Sequence, residues 1–107
     1  MYENYRKTST RSFIDHNHIK QEISPLDFFT NELQGSNLQK YSWNDGGLCP
    51  FHNDGKTGSF HVNVETGGYN CFSCGAKGGN IIAFTMALYD LDFHEALVKL
   101  CEEWGVA

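Results

Sequence analysis

The sequence predicts an α+β fold, a small β-sheet with flanking helices, and three observations predict it. Two short knuckles of metal-ligating type, Cys49-Pro50-Phe51-His52 and Cys71-Phe72-Ser73-Cys74, stand eighteen residues apart. Between them Phe60, Val62 and Val64 alternate with polar residues, the period of a half-buried strand. Capped apolar runs of helical period lie on either side. Three thiolates and one imidazole at this spacing form a closed tetrahedral zinc set, with no position left open for a substrate. The sheet is therefore read as a zinc ribbon, holding one structural Zn2+ on Cys49, His52, Cys71 and Cys74.

Two other readings of the cysteines are weaker. A redox pair at Cys71 and Cys74 needs a βαβ context and leaves Cys49 and His52 unexplained. Disulfides fit poorly, because no secretory signal opens the chain and Cys101 sits in an apolar helical pattern. The chain of 107 residues suggests one domain, and its core is small enough that metal binding would matter to folding. Hydrophobic content of 40% argues against global disorder. No apolar run approaches membrane-spanning length, so the expectation is a cytoplasmic protein with no membrane partner. The formal net charge of −5 makes the chain as a whole a poor match for phosphate, and any contact with nucleic acid must come from a local patch.

The elements follow in order. Residues 1–12 are polar, with Arg6, Lys7 and Arg11 against Glu3, and show no periodicity. They read as a mobile arm, too sparsely basic to mark a phosphate-binding one. Phe13 to Glu22, with Phe13, Ile14 and Ile19, is a weakly marked short helix whose His16 and His18 are expected on the surface. Ser24-Pro25-Leu26-Asp27 is a helix start: Ser24 caps, Pro25 suits the first position and Asp27 sits at the capping-box position. Ile23 and Phe28 form a staple across that start, Leu26, Phe29 and Leu33 share a face, and Gly35 ends the helix. Tyr41 and Trp43 mark a short strand, and Asp45-Gly46-Gly47 turns the chain into the first knuckle.

After the Phe60–Val64 strand, Glu65-Thr66-Gly67-Gly68 is a hairpin loop and Tyr69-Asn70-Cys71-Phe72 the return strand. His61 in the first strand is a conceivable competing ligand, better placed facing solvent. Gly75 is expected at positive φ to close the second knuckle. Gly78-Gly79-Asn80 leads into an apolar helix from Ile81 to Tyr89, with Asn80 as cap. That glycine-rich start, with Lys77 beside it, could also hold a phosphate. Asp92-Phe93-His94-Glu95 is a capping box, opening a helix with Ala96, Leu97, Leu100, Cys101 and Trp104 on one face and Gly105 as its stop.

These residues resemble a family. Cys49-Pro50-Phe51-His52, Ser59-Phe60-His61-Val62, Tyr69-Asn70-Cys71-Phe72-Ser73-Cys74-Gly75, Gly78-Gly79-Asn80-Ile81-Ile82-Ala83-Phe84 and Phe93-His94-Glu95-Ala96 look like the N-terminal zinc-binding domain of DnaG-type bacterial DNA primases. Mobile-element and phage primases carry similar modules. The likeness spans roughly Pro25 to Val106. Gly58 stands where the family usually has Pro, Asn80 where it has Asp and Ser73 where it has Gly, and none of these changes removes a zinc ligand.

The chain is expected to divide into residues 1–20, a mobile N-terminal arm, and residues 21–107, the primase-type zinc-binding domain that the resemblance implies. The same resemblance implies recognition of single-stranded template DNA during primer synthesis in DNA replication. It also implies partnership with a primase polymerase domain or a replicative helicase. Polymerisation in that family belongs to a separate toprim-containing domain, so this chain is expected to be non-catalytic by itself. Stacking aromatics with a few cations can hold a single strand. The candidate DNA contacts are Lys56, His61, Tyr69 and Lys77, while Phe60 and Phe72 are assigned to shielding the zinc and filling the core. The alternative is a protein-docking zinc ribbon that recruits a polymerase or helicase, suggested by the acidic charge and the acidic last helix ending in Trp104.

Overall fold

The computed structural model describes residues 14–33, 37–52 and 55–106. The arm expected over residues 1–12, Phe13 and the expected helix stop at Gly35 lie outside the described residues. Four helices and one four-stranded antiparallel sheet are seen among the described residues, so the expected α+β class holds. The helices are α1 (His16–Glu22), α2 (Pro25–Glu32), α3 (Ile81–Tyr89) and α4 (Phe93–Trp104). The strands are β1 (Trp43–Asp45), β2 (Phe60–Asn63), β3 (Tyr69–Cys71) and β4 (Lys77–Gly78), side by side in sequence order.

The caps read from the sequence are made. A further cap, Asp15, which the sequence reading did not name, accepts from Asn17 N at 2.9 Å and opens α1. Helix α1 crosses the 20/21 boundary expected between arm and domain, and its Ile19 is fully buried in the core. Ser24 Oγ accepts from Asp27 N at 3.3 Å, with Pro25 in the first turn of α2. Asn80 Oδ1 accepts from Ala83 N at 2.9 Å. At α4 the capping box is complete: Asp92 accepts from Glu95 N at 2.8 Å, and Asp92 N donates to Glu95 Oε1 at 2.9 Å. Gly105 closes α4 in the left-handed conformation, φ 65°.

Strand β4 is an addition that the sequence did not suggest. Two residues pair Lys77 with Asn70 and Gly78 with Tyr69. Glycines and one lysine carry no strand period, so nothing in the pattern marks them.

The core is aromatic. Phe84 on α3 is fully buried, and its ring centroid lies 5.2 to 5.6 Å from those of Phe28, Phe29, Phe51 and Tyr69. All four contacts are edge-to-face, the geometry the ring quadrupoles favour. This one side chain joins α2, α3, the sheet and the first knuckle. Ile19, Ile23, Phe60, Val62, Ile81, Ile82, Ala96, Leu97 and Leu100 belong to the same cluster, each at most 3% exposed. Among the described residues, the helices thus cover one face of the sheet and leave the other open.

Candidate metal centre

The two knuckles reach each other because the sheet puts them at one end. The turn after β1 is held by Gly47 N donating to Asp45 Oδ1 at 2.9 Å and Gly46 N donating to Phe60 O at 2.8 Å. A Cβ on Gly46 would stand 2.7 Å from the Phe60 ring, so glycine is what lets the chain pass so close to β2. Three residues on, Cys49 is buried. Its sulfur accepts from Phe51 N at 3.4 Å, the backbone-to-thiolate bond of a knuckle. Phe51 itself stacks on Tyr69, centroids 5.3 Å apart and planes within 16°, which anchors Cys-Pro-Phe-His to the core.

The second knuckle grows from the end of β3. Cys71 pairs with Phe60 in register, its N–H donates to Ala76 O at 2.8 Å, and Gly75 N returns to Cys71 O at 2.9 Å. Gly75 takes φ 82°, as the sequence led us to expect.

The ligand atoms of Cys49, His52, Cys71 and Cys74 all lie within 4.8 Å of one another. Cys49 Sγ and Cys74 Sγ are 3.8 Å apart. A tetrahedron with Zn–S bonds of ~2.3 Å has S···S edges of about 3.8 Å, so the spacing fits one Zn2+. The four cysteines described are all free thiols, and Cys101 stands apart on α4, half-buried against the core. His61 is outside the ligand group. Burial pushes the Cys49 thiol up to about 12. Burial raises Cys71 too, but N–H groups of Cys74 and Ser73 aimed at its sulfur outweigh it, and the thiol lies below its ordinary value. Zinc ligation takes both sulfurs as thiolates, so a divalent ion would draw the protons from the two knuckles.

The candidate DNA contacts divide. Lys56 is exposed in the loop before β2, while Lys77, exposed, and His61, half-buried, lie on the sheet face away from the helices. Tyr69 is a correction. It is 3% exposed, packed between Phe51 and Phe84 with its hydroxyl donating to Ala83 O at 3.4 Å, and cannot stack a base. Phe72 is corrected the other way: assigned to the core, it is 73% exposed at the tip of the second knuckle. Phe60 is fully buried, as expected. Trp43, read only as a strand residue, is 54% exposed. Trp43, His61, Asn70 and Phe72 together line a cleft of about 250 Å3 on the open face of the sheet. Sequence alternation contained this signal, since residues between inward positions must face outward.

Comparison with known proteins agrees with the geometry. The CHC2 zinc finger family, the zinc ribbon of DnaG, matches residues 10–107. A DNA primase of Staphylococcus aureus (strain COL) is 40% identical over 91 residues, 85% of this chain and 14% of that protein. One from Borreliella burgdorferi is 47% identical over 60 residues, covering 56% of this chain and 11% of the other. The crystal structure of the Aquifex aeolicus primase, zinc-binding and RNA polymerase domains, superposes with a TM-score of 0.63 at 27% identity, over 83% of this chain and 21% of that one. The chain therefore spans a small fraction of the length of the relatives it matches. With its ligand set, sheet and flanking helices in place, the chain belongs to the CHC2 zinc finger family and is a zinc-binding domain of the DnaG primase type.

Proposed function

We propose that this domain binds single-stranded template DNA during primer synthesis, and that it does so with the open face of its sheet. The observation that carries this reading is the pair of large aromatics, Trp43 and Phe72, exposed on a face that also presents His61, Asn70 and Lys77. Exposed rings supply stacking platforms, and a nearby lysine supplies attraction to phosphate. Lys56, in the loop between His52 and β2, is exposed as well. With so few cations the affinity should be modest and should fall steeply with salt. Zinc acts here through shape: it holds Phe72 and the second knuckle against the end of the sheet.

Fluorescence anisotropy of a labelled single strand tests the reading. The zinc-loaded domain should bind at low salt, and the stripped protein should not. Lys56→Ala and Lys77→Ala should each weaken binding; equal binding by both variants would remove the lysines from the surface. No binding at all by the loaded domain would overturn the reading.

A second reading, docking of a polymerase or helicase segment, is favoured by a different feature. Asn31, Glu32, Tyr89, Glu103 and Trp104 line a groove of about 470 Å3 between the ends of α2, α3 and α4. Its two carboxylates suit a basic segment. A pull-down in which Glu32→Gln and Glu103→Gln abolish capture of such a partner would support it.

A further inference from the structure

The open face carries a chemical gradient. Asp45 on β1 is opposite His61 on β2, His61 is opposite Asn70 on β3, and Asn70 is opposite Lys77 on β4. Residues directly opposite in antiparallel strands project to the same face, so these four form one row across the sheet. The row runs from carboxylate through imidazole and amide to ammonium.

The aromatics flank the row, one on each side along the strand direction. Trp43 pairs with Asn63, two residues from His61, and its indole reaches over the sheet until Cη2 would lie 3.5 Å from a Cβ on Gly68. Phe72 lies beyond the other side, where its N–H donates to Ser59 O at 2.9 Å. Its ring meets His61 edge-to-face at 5.6 Å. The cleft of about 250 Å3 is the space between them, with His61 and Asn70 as floor. Pockets for drug-sized ligands run ~300–1,000 Å3, so this one suits a single planar ring system.

Deepening the template reading above, on which it rests, we propose that this cleft takes one unpaired nucleobase of the single strand. Trp43 and Phe72 hold its flanks, and the Asn70 amide reads its edge. The amide offers two donors and an acceptor, the group that discriminates bases by hydrogen-bonding pattern. The gradient orients the strand. Phosphate is repelled by Asp45 and drawn to Lys77, so the backbone runs on the β4 side and the base points toward β1. The named residues thus have separate roles: Trp43 and Phe72 in stacking, Asn70 in specificity, Lys77 in phosphate attraction.

The test uses the zinc-loaded chain and strands of abasic sugar-phosphate carrying a single base at the centre, each of the four in turn. One base should raise affinity about tenfold over the wholly abasic strand. Trp43→Ala and Phe72→Ala should lose that gain, and Asn70→Ala should level the ranking of the four bases. Lys77→Ala should weaken abasic and base-bearing strands alike and flatten the salt dependence. Every variant must hold one zinc per chain, with an unchanged far-UV spectrum. Equal binding of abasic and base-bearing strands would overturn the cleft and leave the template reading standing. So would a gain that survives both aromatic truncations, or a base ranking unchanged in Asn70→Ala. Failure to bind any single strand, base-bearing or ordinary, would overturn both.

Discussion

Tyr69 and Gly78 face each other across β3 and β4, and a Cβ on Gly78 would stand 2.6 Å from Cε1 of the tyrosine ring. The ring cannot yield, because Phe51 stacks on it and Phe84 meets it edge-on at 5.2 Å. Gly78→Ala should therefore cost about 1–3 kcal/mol, the usual range for overpacking. Gly79→Ala is the control, since a Cβ there meets nothing within 4 Å. Urea denaturation of the zinc-loaded proteins separates the two.

Phe84→Ala should be far more damaging, on the order of 3–5 kcal/mol. The loss should not stop at stability. Phe51 leans on Phe84 at 5.3 Å, so the first knuckle loses a wall. Transfer of zinc to a chromophoric chelator should be faster in the variant than in the parent.

Metal removal should unfold the sheet end of the molecule. Structural zinc in small domains contributes roughly 10–16 kcal/mol of apparent binding free energy, which is also folding free energy. A chelator should abolish the cooperative thermal transition. Elemental analysis should find one zinc in the parent and in Cys101→Ser, and none held stably by Cys71→Ser. Retention of a cooperative fold after chelation would contradict a structural metal.

The capping box of α4 gives a smaller, cleaner effect. Asp92→Ala removes the acceptor for Glu95 N and should cost about 1 kcal/mol. Asp92→Asn keeps an acceptor and should recover most of it. Thermal melts in the presence of zinc measure both.

Tyr89 predicts a pH dependence. Its hydroxyl donates to Glu32 Oε1 at 2.7 Å, and that bond, then partial burial, pushes the phenol up to about 12. The fold favours the protonated phenol, whose ordinary value is 10. Its stabilising share is complete below pH ~10 and is lost as pH rises toward 12. The side chain is 42% exposed, so the effect is small. Absorbance titration should show Tyr89 ionising late, and Glu32→Gln should bring it back toward the ordinary range.

The zinc ligands were legible because coordination chemistry dictates both residue type and spacing. The caps at Ser24, Asn80 and Asp92 were legible for a similar reason, each being a local hydrogen bond within three residues. What escaped was the side on which aromatics fall. Tyr69 and Phe72 stand three apart beside the same ligands, yet one is buried and the other exposed. Register decided that: Tyr69 lies opposite Val62 on the inner face, whereas Phe72 follows Cys71 at the point where β3 gives way to the knuckle. Trp43 faces outward by the same logic, on the face of Asp45 two residues along β1. Strand β4 escaped because its pairing partners, not its own residues, make it a strand.

Both margins of the sheet are guarded against pairing with other chains. Strand β4 is two residues long and β1 three, too short to template a neighbour. The chain before β1 also folds back on it: Asn44 Oδ1 accepts from Gln39 N at 2.8 Å, and Asn44 Nδ2 donates to Tyr41 O at 2.8 Å. A protein with Trp43 and Phe72 on an uncovered face would ordinarily risk aggregation. Among the described residues, the short margins of the sheet leave little backbone edge along which pairing between copies of this chain could spread.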